Sequence, residues 1–305
     1  MQRSYAFDLG LETVGVRTNR GFVEVDERLA TNVAGIWAAA DQRRAVLEQE
    51  VLTGVDAIVA ANTLEAAQLR RLYDGSGARI YTIPCGVDLA LFAPGDRAAA
   101  RAALGLPAGV PLVFAAARLE PLKDLGTAVR AVGFLPRCGL PDAHLVIAGG
   151  PLTGRAGAQE EERLRSLATQ TGLGGRLRMV GAVAQRELPR YIAAADAVIV
   201  PSLYESFGMA ALEALACGRP VIASATGGLQ LTVHDGENGF LAPVGDAAAF
   251  ADRLAAVLRN PILARHMSLR ARRSAEPYSW TAVAERTHCL YESLVTTCTR
   301  EAASQ

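Results

Sequence analysis

The sequence has few of the residues that build metal and redox sites. It contains four histidines, none spaced for metal binding, and five cysteines without a C-x-x-C pair. No Asp-x-Asp pair occurs that could hold a divalent cation. We therefore expect no resident metal and no cofactor, and we expect the cysteines to be reduced thiols in a cytoplasm.

Long apolar runs and an excess of charge of either sign are also missing. No stretch of 18 apolar residues and no signal peptide is recognisable, so neither a transmembrane segment nor export is expected. Lys plus Arg total 31 and Asp plus Glu total 31, which gives a net charge of zero. This balance argues against nucleic acid, or an anionic membrane surface, as a general partner. A soluble cytoplasmic protein is expected.

Several common catalytic motifs are absent too. The chain has no G-x-S-x-G elbow, no P-loop, and no G-x-G-x-x-G after a strand, which weakens hydrolase, kinase and dehydrogenase interpretations. The length of 305 residues suits one large or two medium domains. Half of the residues are hydrophobic and only 6% are aromatic, so Ala, Leu and Val must build the core.

Apolar strand candidates alternate with helix candidates from about residue 111 onward. The strand candidates are 111–117, 144–148, 176–181, 196–200, 220–223 and 239–241. Continuous apolar strands alternating with helices predict an α/β fold with a parallel, doubly wound sheet. Two further strand candidates, 55–60 and 79–83, flank a helix at 64–73, and no clear period precedes residue 27.

Ligands on such sheets bind outside the carboxyl ends of the strands. Arg118, Gly149, Gly181, Glu205 and Gly227 each come just after a predicted strand. The pattern therefore predicts that these residues converge at one edge of the sheet.

The stretch from Glu205 to Glu213 is the most informative in the chain. It predicts a loop and then a helix opening at Ser206 or Phe207, with Ser206 as its cap. The free N–H groups and positive dipole end of a helix suit phosphate, and Glu213, two turns inside, leans back toward the same ligand. A glutamate pair at this spacing also arises by chance on solvated helices. Here, however, Glu213 is the single charge in an apolar helix and needs a partner.

These motifs resemble those of a known family. The run E-S-F-G-x-x-x-x-E-A, then G-G-L at 227–229 and D-G-x-x-G at 235–239, is similar to family 4 retaining glycosyltransferases of the GT-B fold. The R-L-x-x-x-K element at 118–123 and P-C-G-V-D at 84–88 extend the resemblance over roughly residues 56–294. The nearest branch contains mycothiol glycosyltransferase and sucrose-phosphate synthase.

The resemblance implies a transferase that moves a sugar from a nucleotide-diphospho-sugar, with UDP expected, to an unknown hydroxyl acceptor. It implies that Arg118 and Lys123 hold the diphosphate, that Glu205 contacts the donor sugar, and that Glu213 binds the ribose. The remaining donor-binding residues that it implies are Phe207, Gly208, Met209, Gly149, Val180 and Gly181. On the residues alone, a solvated loop lysine is the favoured interpretation of Lys123.

The resemblance also implies an incomplete N-terminal domain. We expect 1–94 to be a remnant of an acceptor domain, 95–276 to be the nucleotide-sugar domain, and 277–305 to be a crossover helix and tail. Trp280, Leu290 and Leu294 would form an apolar stripe on that helix, so self-association or a partner supplying the missing half is expected. The alternative is a donor-binding or regulatory homologue that needs a separate N-terminal half.

Overall fold

The computed structural model describes residues 3–5, 18–19, 22–24, 54–72, 79–150 and 155–302, with side chains described in 54–72, 79–150 and 158–296. The chain separates into two compact units, Met1–Thr82 and Ile83–Gln305.

The first unit contains two small sheets. Strands β1 (Arg3–Tyr5), β2 (Thr18–Asn19) and β3 (Phe22–Glu24) form an antiparallel sheet with the order β1-β3-β2. Strands β4 (Ala57–Ala60) and β5 (Arg79–Thr82) pair in parallel, with helix α1 (Thr63–Leu72) between them in sequence. The βαβ pattern was predicted, whereas β1 to β3 are too short to show a period.

The second unit is built on a parallel sheet of six strands. Its order is β11-β10-β9-β6-β7-β8, and every pairing is parallel. The strands are β6 (Leu112–Ala116), β7 (His144–Ala148), β8 (Leu177–Met179), β9 (Ala197–Val200), β10 (Val221–Ser224) and β11 (Gly239–Ala242). The predicted doubly wound α/β sheet is confirmed.

Nine α-helices of this unit accompany the sheet in the described residues. They are α2 (Arg97–Leu104), α3 (Leu125–Phe134), α4 (Arg155–Gln170), α5 (Leu188–Ala194), α6 (Met209–Ala216), α7 (Leu229–Thr232), α8 (Ala247–Leu258), α9 (Pro261–Ala275) and α10 (Trp280–Ala302). Side-chain caps fix where several of them begin. The Asp96, Asp246 and Asn260 side chains each accept a hydrogen bond from a backbone N–H in the first turn of α2, α8 and α9.

The core lies between one face of the sheet and helices α3 and α8. Val129 and Phe250 from these helices pack with Leu145, Ile147 and Ile222 from the strands, and all are fully buried. Small and aliphatic side chains fill this layer, as the low aromatic content predicts.

The strand order reverses between β9 and β6. From β6 the chain adds β7 and β8 on one side, and then returns to add β9, β10 and β11 on the other. Loops that leave β6 and β9 therefore diverge, and they open a crevice at the carboxyl edge of the sheet. Ligands of doubly wound sheets bind at such a switch point.

Helix α10 corrects one expectation. Leu290 was predicted on a stripe that needs cover, but only 7% of it is exposed, so this position is already packed. Trp280 keeps 59% of its surface exposed, and its ring lies so close to Gly86 that an added Cβ would be 2.5 Å from Cε3. Among the side chains of α10 that the structure describes, the exposed large apolar residues are Trp280, Tyr291 and Val295.

Gly149 provides a test of the packing at the end of β7. A Cβ there would lie 1.8 Å from the carbonyl oxygen of Ala117, which is backbone and cannot move aside. We expect Gly149→Ala to lower the free energy of unfolding by about 3 kcal/mol, because overpacking of a close contact is destabilising. Urea unfolding measures this loss.

Gly175→Ala is the matched control, since a Cβ at Gly175 would meet no atom within 4 Å. An equal loss of stability in both variants would contradict the assigned contact.

Candidate functional site

An ion pair joins the two loops that flank the switch point. Lys123 follows β6, Glu205 follows β9, and their Nζ and Oε2 atoms are 2.7 Å apart. Both side chains are mostly buried, with 18% and 19% exposed. The Ser202 hydroxyl donates a second hydrogen bond to the same Glu205 oxygen at 3.3 Å. The backbone N–H of Leu203 also donates to the carbonyl of Leu122 at 2.9 Å, so the two loops are tied together twice.

Local backbone geometry places Lys123 at this point. The residues Pro121–Lys123 form a single 3-10 turn, and Asp124 then adopts a left-handed conformation with φ of 38°. The Asp124 carboxylate accepts from the backbone N–H of Thr127 and so begins helix α3. Lys123 is the only lysine in the sequence, whose other 30 basic residues are arginines. This count was the signal that the sequence reasoning overlooked.

Two glycines seat the backbone of Glu205. A Cβ on Gly227 would lie 2.1 Å from the Glu205 carbonyl oxygen, and Gly227 also has a positive φ of 47°. The backbone N–H of Gly228 donates to that carbonyl at 2.8 Å. The G-G-L element after β10 therefore holds the Glu205 loop in place.

Helix α6 begins later than the sequence predicted. Its first residue is Met209, and its N-cap is Gly208, which has φ of 93° and makes no side-chain cap bond. The expectation that the helix opens at Ser206 or Phe207 with Ser206 as cap was wrong. The left-handed turn at Gly208 is the reason, because it ends the loop before regular helix can form.

A pocket of about 170 Å³ lies beside this helix start. Its lining residues come from β6, β9, α6 and their loops, and include Lys123, Ser202, Glu205, Met209 and Ala210. The first N–H groups of a helix have no partner within it and carry positive partial charge. The pocket therefore combines a cation, helix N–H groups and oxygen acceptors.

Glu213 is the buried carboxylate of α6. Only 9% of it is exposed, and burial raises the pKa of its carboxyl group to about 7, while a hydrogen bond with the Gln185 side chain acts in the opposite direction. Sequence reasoning predicted that this carboxylate needs a partner. Gln185 is a partner that the sequence did not reveal, because it comes from a separate 3-10 turn before α5.

Arg118 lies on the same loop as Lys123 but has a different environment. Its guanidinium is 70% exposed and contacts Glu120 at 2.7 Å. The expected diphosphate role would require it to exchange this partner. Such an exchange has a small energetic cost, because exposed ion pairs contribute little to stability.

The other expected donor-binding residues are distributed around the same edge. The N–H of Gly149 donates to the carbonyl of Gly181 at 2.8 Å, which joins the ends of β7 and β8. The N–H of Val180 donates to the Ile147 carbonyl within the sheet. Phe207 is buried, and its ring meets Tyr278 edge-on with centroids 6.0 Å apart.

No group of three or more His, Cys, Asp or Glu side chains that could hold a metal ion occurs among the described residues. No helix in the described part of the chain is long and apolar enough to cross a membrane. The site presents a cation and helix N–H groups near Lys123 and α6, and carboxylate acceptors at Glu205 and Glu213.

Comparison with known proteins identifies the class. The model of the family "Glycosyl transferases group 1" matches residues 96–274, and this chain belongs to that family. The chain is 40% identical over 240 residues to D-inositol 3-phosphate glycosyltransferase of Saccharomonospora viridis, covering 78% of this chain and 55% of that protein. The enzyme of the same name from Nocardioides sp. is 38% identical over 257 residues, covering 81% and 56%. The chain spans about half the length of the curated relatives it matches.

Solved structures agree with the fold. Sucrose-phosphate synthase from Thermosynechococcus elongatus matches with a TM-score of 0.77 and 36% identity, covering 87% of this chain and 65% of that one. Anabaena HepE, in a complex with UDP and glucose, has a TM-score of 0.73 at 22% identity, covering 83% and 68%. The chain therefore has the fold of the GT-B glycosyltransferases and covers mainly their C-terminal domain.

Glu213 provides a test through pH. Its pKa of about 7 lies above the ordinary 4.5. Between pH 4.5 and 7 the Glu213 carboxyl group therefore keeps its proton in the folded state and releases it in the unfolded state. Stability should therefore fall as pH rises from about 4.5 to 7, and stay low above it. Glu213→Gln removes this loss. The free energy of unfolding of the variant, minus that of the unmodified protein, should therefore be up to about 3 kcal/mol larger at pH 8 than at pH 4.5.

Urea unfolding across this pH range measures the effect, with Glu162→Gln at an exposed position of α4 as control. The hypothesis of a buried, costly carboxylate is rejected if both variants track the unmodified protein at every pH.

Proposed function

We propose that this chain binds a UDP-sugar at the switch point and transfers the sugar, with retention of configuration, to a hydroxyl acceptor. The observation that supports this best is the Lys123–Glu205 pair beside the start of α6, in a pocket at the carboxyl edge of the sheet. The relatives named D-inositol 3-phosphate glycosyltransferase, and a structural neighbour solved with UDP and glucose, add support. We propose a cytoplasmic protein, with the sugar nucleotide as substrate and no resident metal or cofactor.

The diphosphate would take Lys123 away from Glu205. Breaking the glycosidic bond leaves negative charge on the diphosphate, and cations and helix N–H groups aimed at it would stabilise the transition state. Lys123, Arg118 and the backbone N–H groups of Gly208 and Met209 supply these groups in our proposal. Glu205, released from the lysine, would then accept a hydrogen bond from a hydroxyl of the donor sugar.

The nucleoside would lie toward Glu213. A buried carboxylate is a strong acceptor for the paired hydroxyls of a ribose, and Gln185 would keep it oriented. Gly149, Val180 and Gly181 would line the base through backbone contacts, and Phe207 would support the loop from behind. Base and sugar selectivity are not assigned by these backbone contacts.

The acceptor would bind outside the second unit. We propose residues 1–94 as part of an acceptor domain, 95–276 as the nucleotide-sugar domain, and 277–305 as a crossover helix and tail. Rate in a transfer of this kind depends on holding the acceptor hydroxyl against the anomeric carbon in a closed cleft.

The diphosphate contacts can be tested by calorimetry with UDP, UMP and uridine. Lys123→Met and Arg118→Ala should each weaken UDP binding by about 10- to 100-fold, since a hydrogen bond to a charged group contributes about 1.5–3 kcal/mol. Uridine affinity should barely change, and UDP affinity should fall with added salt.

Arg190→Ala, which removes an exposed arginine of α5 paired with Glu187, is the control and should bind UDP normally. Chelator should have no effect. Binding that appears only with added magnesium or manganese would overturn the metal-free proposal.

The turnover of the 305-residue chain tests the domain proposal. Because the chain spans about half of its curated relatives, we expect donor binding with transfer slower than about 1 per second, a low enzymatic rate. We also expect self-association through the exposed Trp280, Tyr291 and Val295 surface, which size-exclusion chromatography detects. A monomer that transfers sugar at an ordinary rate would show that the N-terminal unit is more complete than proposed.

A further inference from the structure

Helix α9 carries an unusual concentration of positive charge. From Pro261 to Ala275 the chain has four arginines and one histidine but no acidic residue, in a protein whose net charge is zero. The charge balance of the whole chain therefore conceals a strongly basic segment. A basic segment of this kind produces a local positive potential that the net charge does not report.

The solvent-facing side of α9 combines these charges with large apolar side chains. Ile262 is 83% exposed and Leu269 is 60% exposed, and the two are seven residues apart, so they lie one above the other on the helix. Four exposed basic residues flank them on the same side: Arg265, His266, Arg270 and Arg273. We call these six residues the basic face of α9.

The opposite side of α9 holds the helix in the fold. Met267, Ala271 and Ala275 are fully buried against the domain. Arg272 points inward and donates hydrogen bonds to the carbonyls of Phe92 and Ala216 at 2.7 Å. Because these contacts occupy the inner side, the basic face is free to meet a partner without unfolding the helix.

The arginines of the basic face differ from those on other surface helices. On α4, Arg163 and Arg165 pair with glutamates one turn away, and on α5 Arg190 pairs with Glu187. Arg265, Arg270 and Arg273 form no ion pair with any side chain that the structure describes. Within the described part of the chain, the charge of these three arginines is therefore not neutralised by an ion pair.

We propose that the basic face of α9 docks on an anionic phospholipid surface. Cations around an exposed aliphatic pair are the features of helices that lie in the membrane interface, where the apolar residues enter the acyl boundary and the cations meet phosphate headgroups. A nucleic acid would use the arginines but not Ile262 and Leu269. The proposal concerns peripheral attachment and does not depend on the donor site.

Sedimentation with vesicles tests the proposal. The full chain should bind vesicles made of equal parts phosphatidylcholine and phosphatidylglycerol, bind phosphatidylcholine alone weakly, and lose binding as salt rises. Changing Arg265, Arg270 and Arg273 to Gln should lower partition on the order of a hundredfold, at about fivefold for each arginine. Ile262→Ser with Leu269→Ser should lower it about tenfold or more.

Controls separate docking from general effects. Arg165→Gln and Val244→Ser change an exposed arginine and an exposed aliphatic residue elsewhere, and should leave partition unchanged. UDP affinity and thermal unfolding should stay normal in every α9 variant.

Three results would overturn the proposal. The first is no binding to anionic vesicles at low salt. The second is vesicle binding that the serine substitutions leave unchanged. The third is binding to a DNA duplex that is as tight as, or tighter than, binding to the vesicles. The second result would assign the face to general anion binding, and the third would assign it to nucleic acid.

Discussion

The Lys123–Glu205 ion pair is the interaction on which the site depends. It lies at the point where the strand order of the sheet reverses, and it joins the loops after β6 and β9. A partly buried pair of this kind is costly to break by removing one partner, because the other charge is left without compensation. A ligand that brings its own negative charge for the lysine and its own hydroxyl for the glutamate avoids that cost. In the proposed function, a sugar diphosphate would separate these two charges.

Glu213 contributes a second constraint of the same type. Burial raises the pKa of the Glu213 carboxyl group to about 7, so the ionised carboxylate lowers the stability of the folded protein near neutral pH. Gln185 offsets part of this cost, and ribose hydroxyls would offset more. The glycines at 149, 227 and 228 make backbone contacts that are too close for any side chain, and these contacts hold the loops in place. The buried carboxylate thus lowers the stability of the fold and at the same time places an acceptor at the site.

The sequence predicted the fold well because the signals were local. Strand and helix periods located β6 to β11, and the turn residues marked the loops at one edge of the sheet. Features that depend on tertiary contacts were not predictable. The left-handed turn at Gly208 delayed α6, Gln185 reached Glu213 from a distant turn, and Leu290 was found packed. The pairing of Lys123 with Glu205 also needed the strand order, although its status as the only lysine was a signal in the sequence.

That single lysine permits a direct measurement of the central claim. Reductive methylation with isotope-labelled formaldehyde marks one side chain, Lys123, besides the amino terminus, and NMR then follows its methyl resonance as ligand is added. If Lys123 leaves Glu205 for the diphosphate, UDP should shift the resonance in a saturable way, and uridine should not. In Glu205→Gln the Lys123 resonance should already be displaced before UDP is added, because the starting ion pair is gone. A Lys123 resonance that stays unchanged in the presence of saturating UDP would contradict the account.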